Sequence, residues 1–203
     1  LYAAGDASCS GLHGADILPG NRMLDAVLGG AAAGAHAGKW VKNRQFTNAQ
    51  AAHEAEQAAQ ADHSAVSELS DEGVVRVGHV VTKVRDAVQS SLGMSRDADG
   101  LTSLIETLEA ASVLAESIHV DQSSLIANMN LVEIARVQAS ARLSLAAAQS
   151  ALARKETRGS HHRSDFTEFN EEHLHHYAVN QMGEVSTLAL RKSKSGNWIL
   201  TPQ

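Results

Sequence analysis

Apolar positions in this chain follow different rules in different stretches, and each change of rule marks a boundary. From residue 74 onward Val77, Val80, Val81, Val84 and Val88 recur at intervals of three and four, as one buried face of a helix requires. Leu92-Gly93-Met94 closes that helix. Beyond Asp99-Gly100, the residues Leu101, Leu104, Ile105, Leu108 and Ala111 repeat the spacing and predict a second helix continuing to about Ile118. Asp121-Gln122-Ser123 reads as a cap. Residues 125–155 contain no Gly or Pro, so they predict a third helix, ~45 Å long at ~1.5 Å per residue. Together the three predict an antiparallel helical bundle.

The flanking stretches read differently. Residues 43–73, including NAQAAHEAEQAAQADHSAVSELSDEG, have helix-forming composition but little apolar stripe, so they bury little and read as a solvated helix and linker. After Gly159 the chain becomes loop-like. Residues 184–190 and 198–200 then read as two short strands joined by a turn at Ser193-Lys194-Ser195-Gly196, a small hairpin.

At the other end, LYAAGDASCSGLHGADILPGNRML opens on a short apolar run broken by Gly5-Asp6 and closes on Pro19-Gly20-Asn21. It reads as a strand end, a loop and a helix start. Residues 21–39 are rich in Gly and Ala and predict a helix that packs closely on a neighbouring sheet. A Gly-Asp pair at the end of a strand suits a nucleotide cofactor, because Gly allows close backbone approach and a carboxylate accepts hydrogen bonds from sugar hydroxyls. The free N–H groups at the start of the following helix favour negative charge at the same place. By pattern alone this fits the interior of any nucleotide-binding α/β fold.

Composition narrows the classes. A net charge of −6 with a pI near 6.0 argues against a nucleic-acid footprint. No run approaches the roughly 18 apolar residues of a membrane span, and the start is not a signal peptide. The 203 residues are enough to bury a core. A single cysteine, Cys9, permits no internal disulfide and has no adjacent activating cation, so it reads as small-residue packing.

The residues themselves go further. LYAAGDASCSGLHGADILPGNRMLDAVLGGAAAG closely resembles the flavoprotein subunit family of succinate dehydrogenase, fumarate reductase and L-aspartate oxidase, whose corresponding block reads approximately AAGE, then HGANRLGxNSLLDxVxFGRxAG. A second block, Arg154-Lys155-Glu156-Thr157-Arg158-Gly159-Ser160-His161-His162-Arg163, resembles the family's RKESRGAHxR and follows in the right order. The resemblance covers essentially the whole chain. It implies the carboxyl-terminal portion of such a subunit: an α/β flavin-domain segment (1–42), a linker (43–73), a mainly α three-helix bundle (74–158) and a short β-containing tail of loop and strand (159–203). The chain starts at Leu1 in what reads as mid-strand, and no GxGxxG occurs in it. The protein is therefore expected to extend further toward its amino end, where the dinucleotide motif and the capping domain would lie.

The resemblance further implies FAD as cofactor and hydride transfer between flavin N5 and a carbon of a four-carbon dicarboxylate, succinate or fumarate. It implies an iron–sulfur subunit as electron partner, and a cytoplasmic protein associated with the membrane through partner subunits. Asp6 takes the place of the family's FAD-contacting Glu. Arg22 and Met23 take the place of the Ser-Leu pair whose backbone contacts the flavin. His13 and Gly14 match HGA on the substrate side, and the remaining catalytic residues fall upstream.

One mismatch stands out. Ile17 occupies the place of the arginine that binds a substrate carboxylate, and an aliphatic chain cannot replace a bidentate guanidinium. Asp16 replaces the preceding Asn, and Pro19 a Gly. Three readings stay open: Arg22 supplies the missing charge, the protein is a paralogue acting on a different small molecule, or the site is inactive and the chain is a non-catalytic helical module for subunit docking.

Two basic or ligand-like clusters remain. Five of the 11 histidines fall between His161 and His176, and His173 and His176 would share a ligand face if helical. No Cys joins them and Glu171 and Glu172 are ordinary surface companions, so no metal site is expected. Arg154, Arg158 and Arg163 are candidates for anion or subunit contacts, although a helix carboxyl end favours such charges for stability alone.

Overall fold

The computed structural model describes residues 1–8, 10–42, 44, 49–67, 75–115, 117–119, 127–192 and 198–200; for residues 59, 61–67, 190–192 and 198–200 the description is of backbone only. Among these residues five α-helices come in order: α1 (Asn21–Val41), α2 (Ala49–Ser67), α3 (Val77–Ser91), α4 (Ala98–Ala115) and α5 (Met129–Ala153). Short 3-10 turns at Gly5–Ala7 and Glu171–His173 precede α1 and the strands β1 (His175–Val179), β2 (Val185–Lys192) and β3 (Trp198–Leu200). The chain is mainly helical with a small antiparallel sheet. It divides into two compact units, Leu1–Ala58 and Ala59–Gln203.

In the first unit α1 begins at the expected Asn21 and packs on the preceding turn through small residues. A Cβ on Gly5 would come within 3.1 Å of Ala26 Cβ, and one on Gly29 within 3.5 Å of Ala4 Cβ. A side chain at position 5 would press on Ala26, whereas a methyl group at position 29 would make an ordinary contact. The expected strand end differs: residues 1–4 carry no strand, although Ala4 is extended (φ −148°, ψ 160°). A strand exists through its ladder, and the described residues of this unit offer no edge to pair with. Residues 51–58 of α2 are all exposed, as their polar, Ala-rich sequence predicts.

In the second unit α3, α4 and α5 share one core, and the expected periodicity supplies it. Val80 and Val84 of α3, Leu104, Leu108 and Ala111 of α4, and Leu131, Ile134, Val137 and Ala141 of α5 are all buried together. Ile118 lies past the end of α4 and is fully buried; beside it, His119 N–H donates to the Val75 carbonyl at 2.9 Å. The start of α5 differs from expectation. Asn128 is its cap, its side chain accepting from Asn130 N–H at 3.0 Å, whereas Asp121-Gln122-Ser123 lies outside the described residues. The helix spans 25 residues and ends at Ala153, where the carbonyls of its last turn meet another partner.

The tail holds a strand that the sequence hides. β1 pairs antiparallel with β2, His175 opposite Ala189 and Val179 opposite Val185, and β2 pairs antiparallel with β3. Asn180 closes the first hairpin by accepting from Met182 N–H (2.9 Å) and Glu184 N–H (3.0 Å), with Gly183 at φ +80°. Every residue of β1 is half-buried, so no inside–outside alternation marks it. The turn read at 193–196 lies outside the described residues. Among the described residues no helix is long and apolar enough to cross a membrane.

Truncating Leu108 to Ala removes a fully buried side chain from the shared core and should cost about 2–5 kcal/mol in urea unfolding, with the midpoint lowered. Val113→Ala, on the same helix but exposed, should stay within about 0.5 kcal/mol.

Candidate functional site

Two polar clusters contain the residues singled out in the sequence, one in each unit. The first lies where the loop before α1 turns into the helix. Gly5 (φ +61°), Gly14 (φ +63°) and Gly20 (φ +86°) hold left-handed backbone here, which glycine adopts without strain. Gly20 is the residue before α1, and no side chain caps the first turn. Ile17 N–H donates to Asp16 Oδ1 at 2.8 Å and Asn21 N–H to the Leu18 carbonyl at 3.1 Å, so the loop folds on itself. Space remains in front of it: a Cβ built on Gly14 or Gly20 meets nothing within 4 Å.

The structure brings Asp6 and Arg22 together. Arg22, the second residue of α1, donates through Nη1 to Asp6 Oδ2 at 2.8 Å, and both side chains are 66% exposed. His13 is partly buried with Nε2 3.6 Å from Asp25 Oδ2, a partner the sequence reading did not single out. Asp25 sits four residues into the helix, inside the resembled block, and only the fold shows that it faces the loop. Met23 is exposed and Ile17 half-buried. Cys9 lies outside the described residues. The corner thus offers a carboxylate, a guanidinium, free helical N–H groups and an aliphatic side chain, the donor set of a site for a polyhydroxylated, partly anionic ligand.

The second cluster joins the end of α5 to the segment that follows. Glu156 is fully buried, accepting from Arg154 Nη1 (2.6 Å), Arg158 Nε (3.0 and 3.1 Å) and Asn170 N–H (2.9 Å). Burial alone would raise its pKa; the Arg158 bonds, the Asn170 N–H and Arg154 outweigh it and bring the carboxyl down to about 2. Arg154 also donates to the carbonyls of His173 and His175 and lies 4.8 Å over the Tyr177 ring. Arg163 is 1% exposed and donates through Nη1 to the carbonyls of Ala151 (2.8 Å), Leu152 (3.3 Å) and Arg154 (3.1 Å), the unpaired acceptors at the end of α5. Its other face makes a bidentate pair with Asp165, both contacts 2.7 Å. Asp165, its pKa held at about 2 by that Arg163 pair, in turn accepts from Ala98 N–H, the first residue of α4.

His161 completes this cluster as a neutral ring. Its Nδ1 faces Arg96 Nη1 at 2.9 Å, which can only donate, so the proton belongs on Nε2, 3.3 Å from the Arg154 carbonyl. Burial, then the charges of Arg96, Arg154 and Arg163, lowers its pKa despite that carbonyl. Arg154, Arg158 and Arg163 are therefore engaged by acceptors of their own unit. The histidines of the tail separate: His173 ends a 3-10 turn and bonds Tyr177 Oη at 2.5 Å, whereas His176 sits on β1, so they share no helical face. Among the described residues no three His, Cys, Asp or Glu side chains gather as a metal would require.

These shifts fix a pH dependence. A buried neutral His161 is protonated more readily in the unfolded chain, so its contribution is lost as pH falls below about 6.5. Glu156 and Asp165 have depressed folded pKa values, so theirs is lost between about pH 5 and about pH 2. Urea midpoints should fall on acidification through both windows. Glu156→Gln should cost about 3 kcal/mol at neutral pH and flatten the lower window, because it leaves two guanidinium groups without their carboxylate.

Known proteins resemble this chain along most of its length. A protein of Methanocaldococcus jannaschii described as an uncharacterized FAD-dependent oxidoreductase is 30% identical over 172 residues, 85% of this chain and 30% of that protein. A fumarate reductase flavoprotein subunit of Mycobacterium tuberculosis is 27% identical over 177 residues, 86% of this chain and 30% of that protein. A solved E. coli quinol fumarate reductase chain superposes with a TM-score of 0.76 at 25% identity, covering 98% of this chain and 32% of that one. The chain thus spans about a third of the length of the proteins it matches. Residues 81–198, more than half of the chain, match the family described as fumarate reductase flavoprotein C-term, and the protein belongs to that family.

Proposed function

We propose that this chain serves as part of the flavoprotein subunit of a succinate dehydrogenase or fumarate reductase-like oxidoreductase. In this reading hydride passes between FAD and a small dicarboxylate, and electrons pass to an iron–sulfur subunit. Residues 1–42 then belong to an α/β FAD-binding domain, 43–73 to a linker, 74–158 to the helical domain and 159–203 to its tail. The protein works on the cytoplasmic side, meeting the membrane through partner subunits.

The observation that carries the reading is the open corner before α1, in a chain of this family. Its residues fit FAD: open space adjoins Gly14 and Gly20, Asp6 is an exposed acceptor for sugar or ribitol hydroxyls beside its bond to Arg22, and the first turn of α1 presents N–H groups that no side chain caps. FAD, when bound, supplies the hydride chemistry. Asp6 would hold the cofactor through its hydroxyls, the N–H groups of Arg22 and Met23 would offer it donors, and His13, 3.6 Å from Asp25, would serve the substrate side.

Ile17 favours a second reading, a paralogue with a less charged substrate. It is half-buried where a guanidinium would have to meet a carboxylate, and nothing about an aliphatic side chain offsets the loss of a bidentate pair. Adding fumarate to the anaerobically reduced full-length protein and following the visible spectrum separates the readings. Rapid reoxidation is expected for a dicarboxylate enzyme. A flavin that stays reduced points to the other acceptor, and a protein that takes up no flavin would leave only a docking module.

A further inference from the structure

Residues 157–164, which follow the end of α5, are held with little apolar support. The buried residues of this segment are His161 and Arg163, both polar, whereas the hydrophobic core lies on α3, α4, α5 and at Ile118. Hydrogen bonds fasten the segment instead. Arg96 N–H donates to the His162 carbonyl (3.0 Å) and Ser164 N–H to the Arg96 carbonyl (2.8 Å), which ties it to the connection between α3 and α4. Arg158 and His161 exchange two backbone bonds around Gly159, at φ +58°. A segment fastened this way can open without uncovering the apolar core.

His161 sits at the join, 4% exposed. Arg96 approaches it from the connection between α3 and α4, Arg154 from the end of α5 and Arg163 from its own segment. Burial, and then these three charges, disfavours a fourth cation among them. The nearby carboxylates are engaged already: Glu156 holds Arg154 and Arg158, and Asp165 holds Arg163 and the Ala98 N–H. His162 is exposed and faces Ser95 Oγ at 3.3 Å. A proton added to Nδ1 of His161 would set an N–H against Arg96, which can only donate. We propose that His161 is an acid-sensitive latch: gaining a proton turns its Arg96-facing nitrogen from acceptor to donor and frees residues 157–164 from the connection between α3 and α4, with the bundle left folded. The open ring takes up the proton and the closed ring does not, so opening is favoured as pH falls below about 6.5, the ordinary histidine value. One pH unit below it, the opening equilibrium rises about tenfold.

Hydrogen exchange of the full-length protein, read by mass spectrometry and corrected for intrinsic rates, tests this. Peptides covering residues 94–98 and 157–164 should exchange about tenfold faster at about pH 5.5 than at about pH 7.5, while peptides from the interiors of α4 and α5 stay far better protected at both. His161→Gln keeps one acceptor and one donor and gains no proton, so its loop rates should be equal at the two pH values. Arg96→Gln places a group that can also accept opposite Nδ1, and should cut the acid response to about threefold or less. Native loop rates that ignore pH overturn the proposal, as does a loop that opens only together with the core, or an acid response that persists in His161→Gln. Should His161→Gln leave the loop unprotected at both pH values, Arg96→Gln decides: a reduced response supports the latch and an undiminished one overturns it.

Discussion

The second unit depends on the burial of one carboxylate and one guanidinium beyond the end of α5. Helix α5 leaves its last carbonyls unpaired, and Arg163 gathers three of them while Asp165 holds its other face. Asp165 also takes the first N–H of α4. One side-chain pair therefore joins the negative end of one core helix to the positive end of another. Glu156 does the parallel work for the tail: Arg154 and Arg158 reach from it to the backbone of His173, His175 and Asn170. Buried charges of this kind add little net stability over well-packed apolar residues, but removing one partner is costly. They fix geometry. The direction in which the chain leaves the bundle is set by hydrogen bonds that only one arrangement satisfies.

The first unit has no such centre. α1 has no buried side chain, and Leu24, Val27, Leu28, Trp40 and Val41 are exposed. Its order comes instead from small residues at close range, Gly5 on Ala26 and Gly29 on Ala4, and from bonds reaching over the helix such as Tyr2 Oη to His36 Nδ1 at 2.5 Å. Small residues bring backbone near backbone. That closeness lets the Asp6 turn face the amino end of α1 across a single hydrogen bond, the condition for a carboxylate and helical N–H groups to act on one ligand.

Legibility in the sequence followed physical range. Helix periodicity is local, so the faces of α3 and α4 were readable from Val80, Val84, Leu104 and Leu108 alone. β1 was not, because HHYAV is half-buried throughout and owes its strand to β2, which the chain reaches only after a turn. The start of α5 was misplaced because several polar residues in sequence are competent caps and the side-chain bond at Asn128 selects one. At the candidate sites, residue types were readable but their pairing was not. Asp6 and Arg22 are 16 positions apart, and their contact follows from how a Gly-rich loop turns. Likewise the arginines after α5 looked free for anions or subunits, until the fold supplied Glu156, Asp165 and backbone carbonyls.

The two clusters differ in how far their charges are buried. In the cluster around Glu156 and Arg163, Arg154, Arg158 and Arg163 each have a carboxylate oxygen within 3.1 Å, whereas Arg96 meets the His161 ring and the Gly93 carbonyl. At the start of α1 the charges lie open to solvent: Arg22 and Asp6 are both 66% exposed, and Asp16 and Asp25 add two further carboxylates close by. Ile17, in the same loop, is half-buried and brings no charge to it. The buried pairs therefore fix how the chain leaves the bundle, while the exposed Arg22–Asp6 pair, a kind of contact that contributes little to stability, is where a substitution changes local charge at small structural cost.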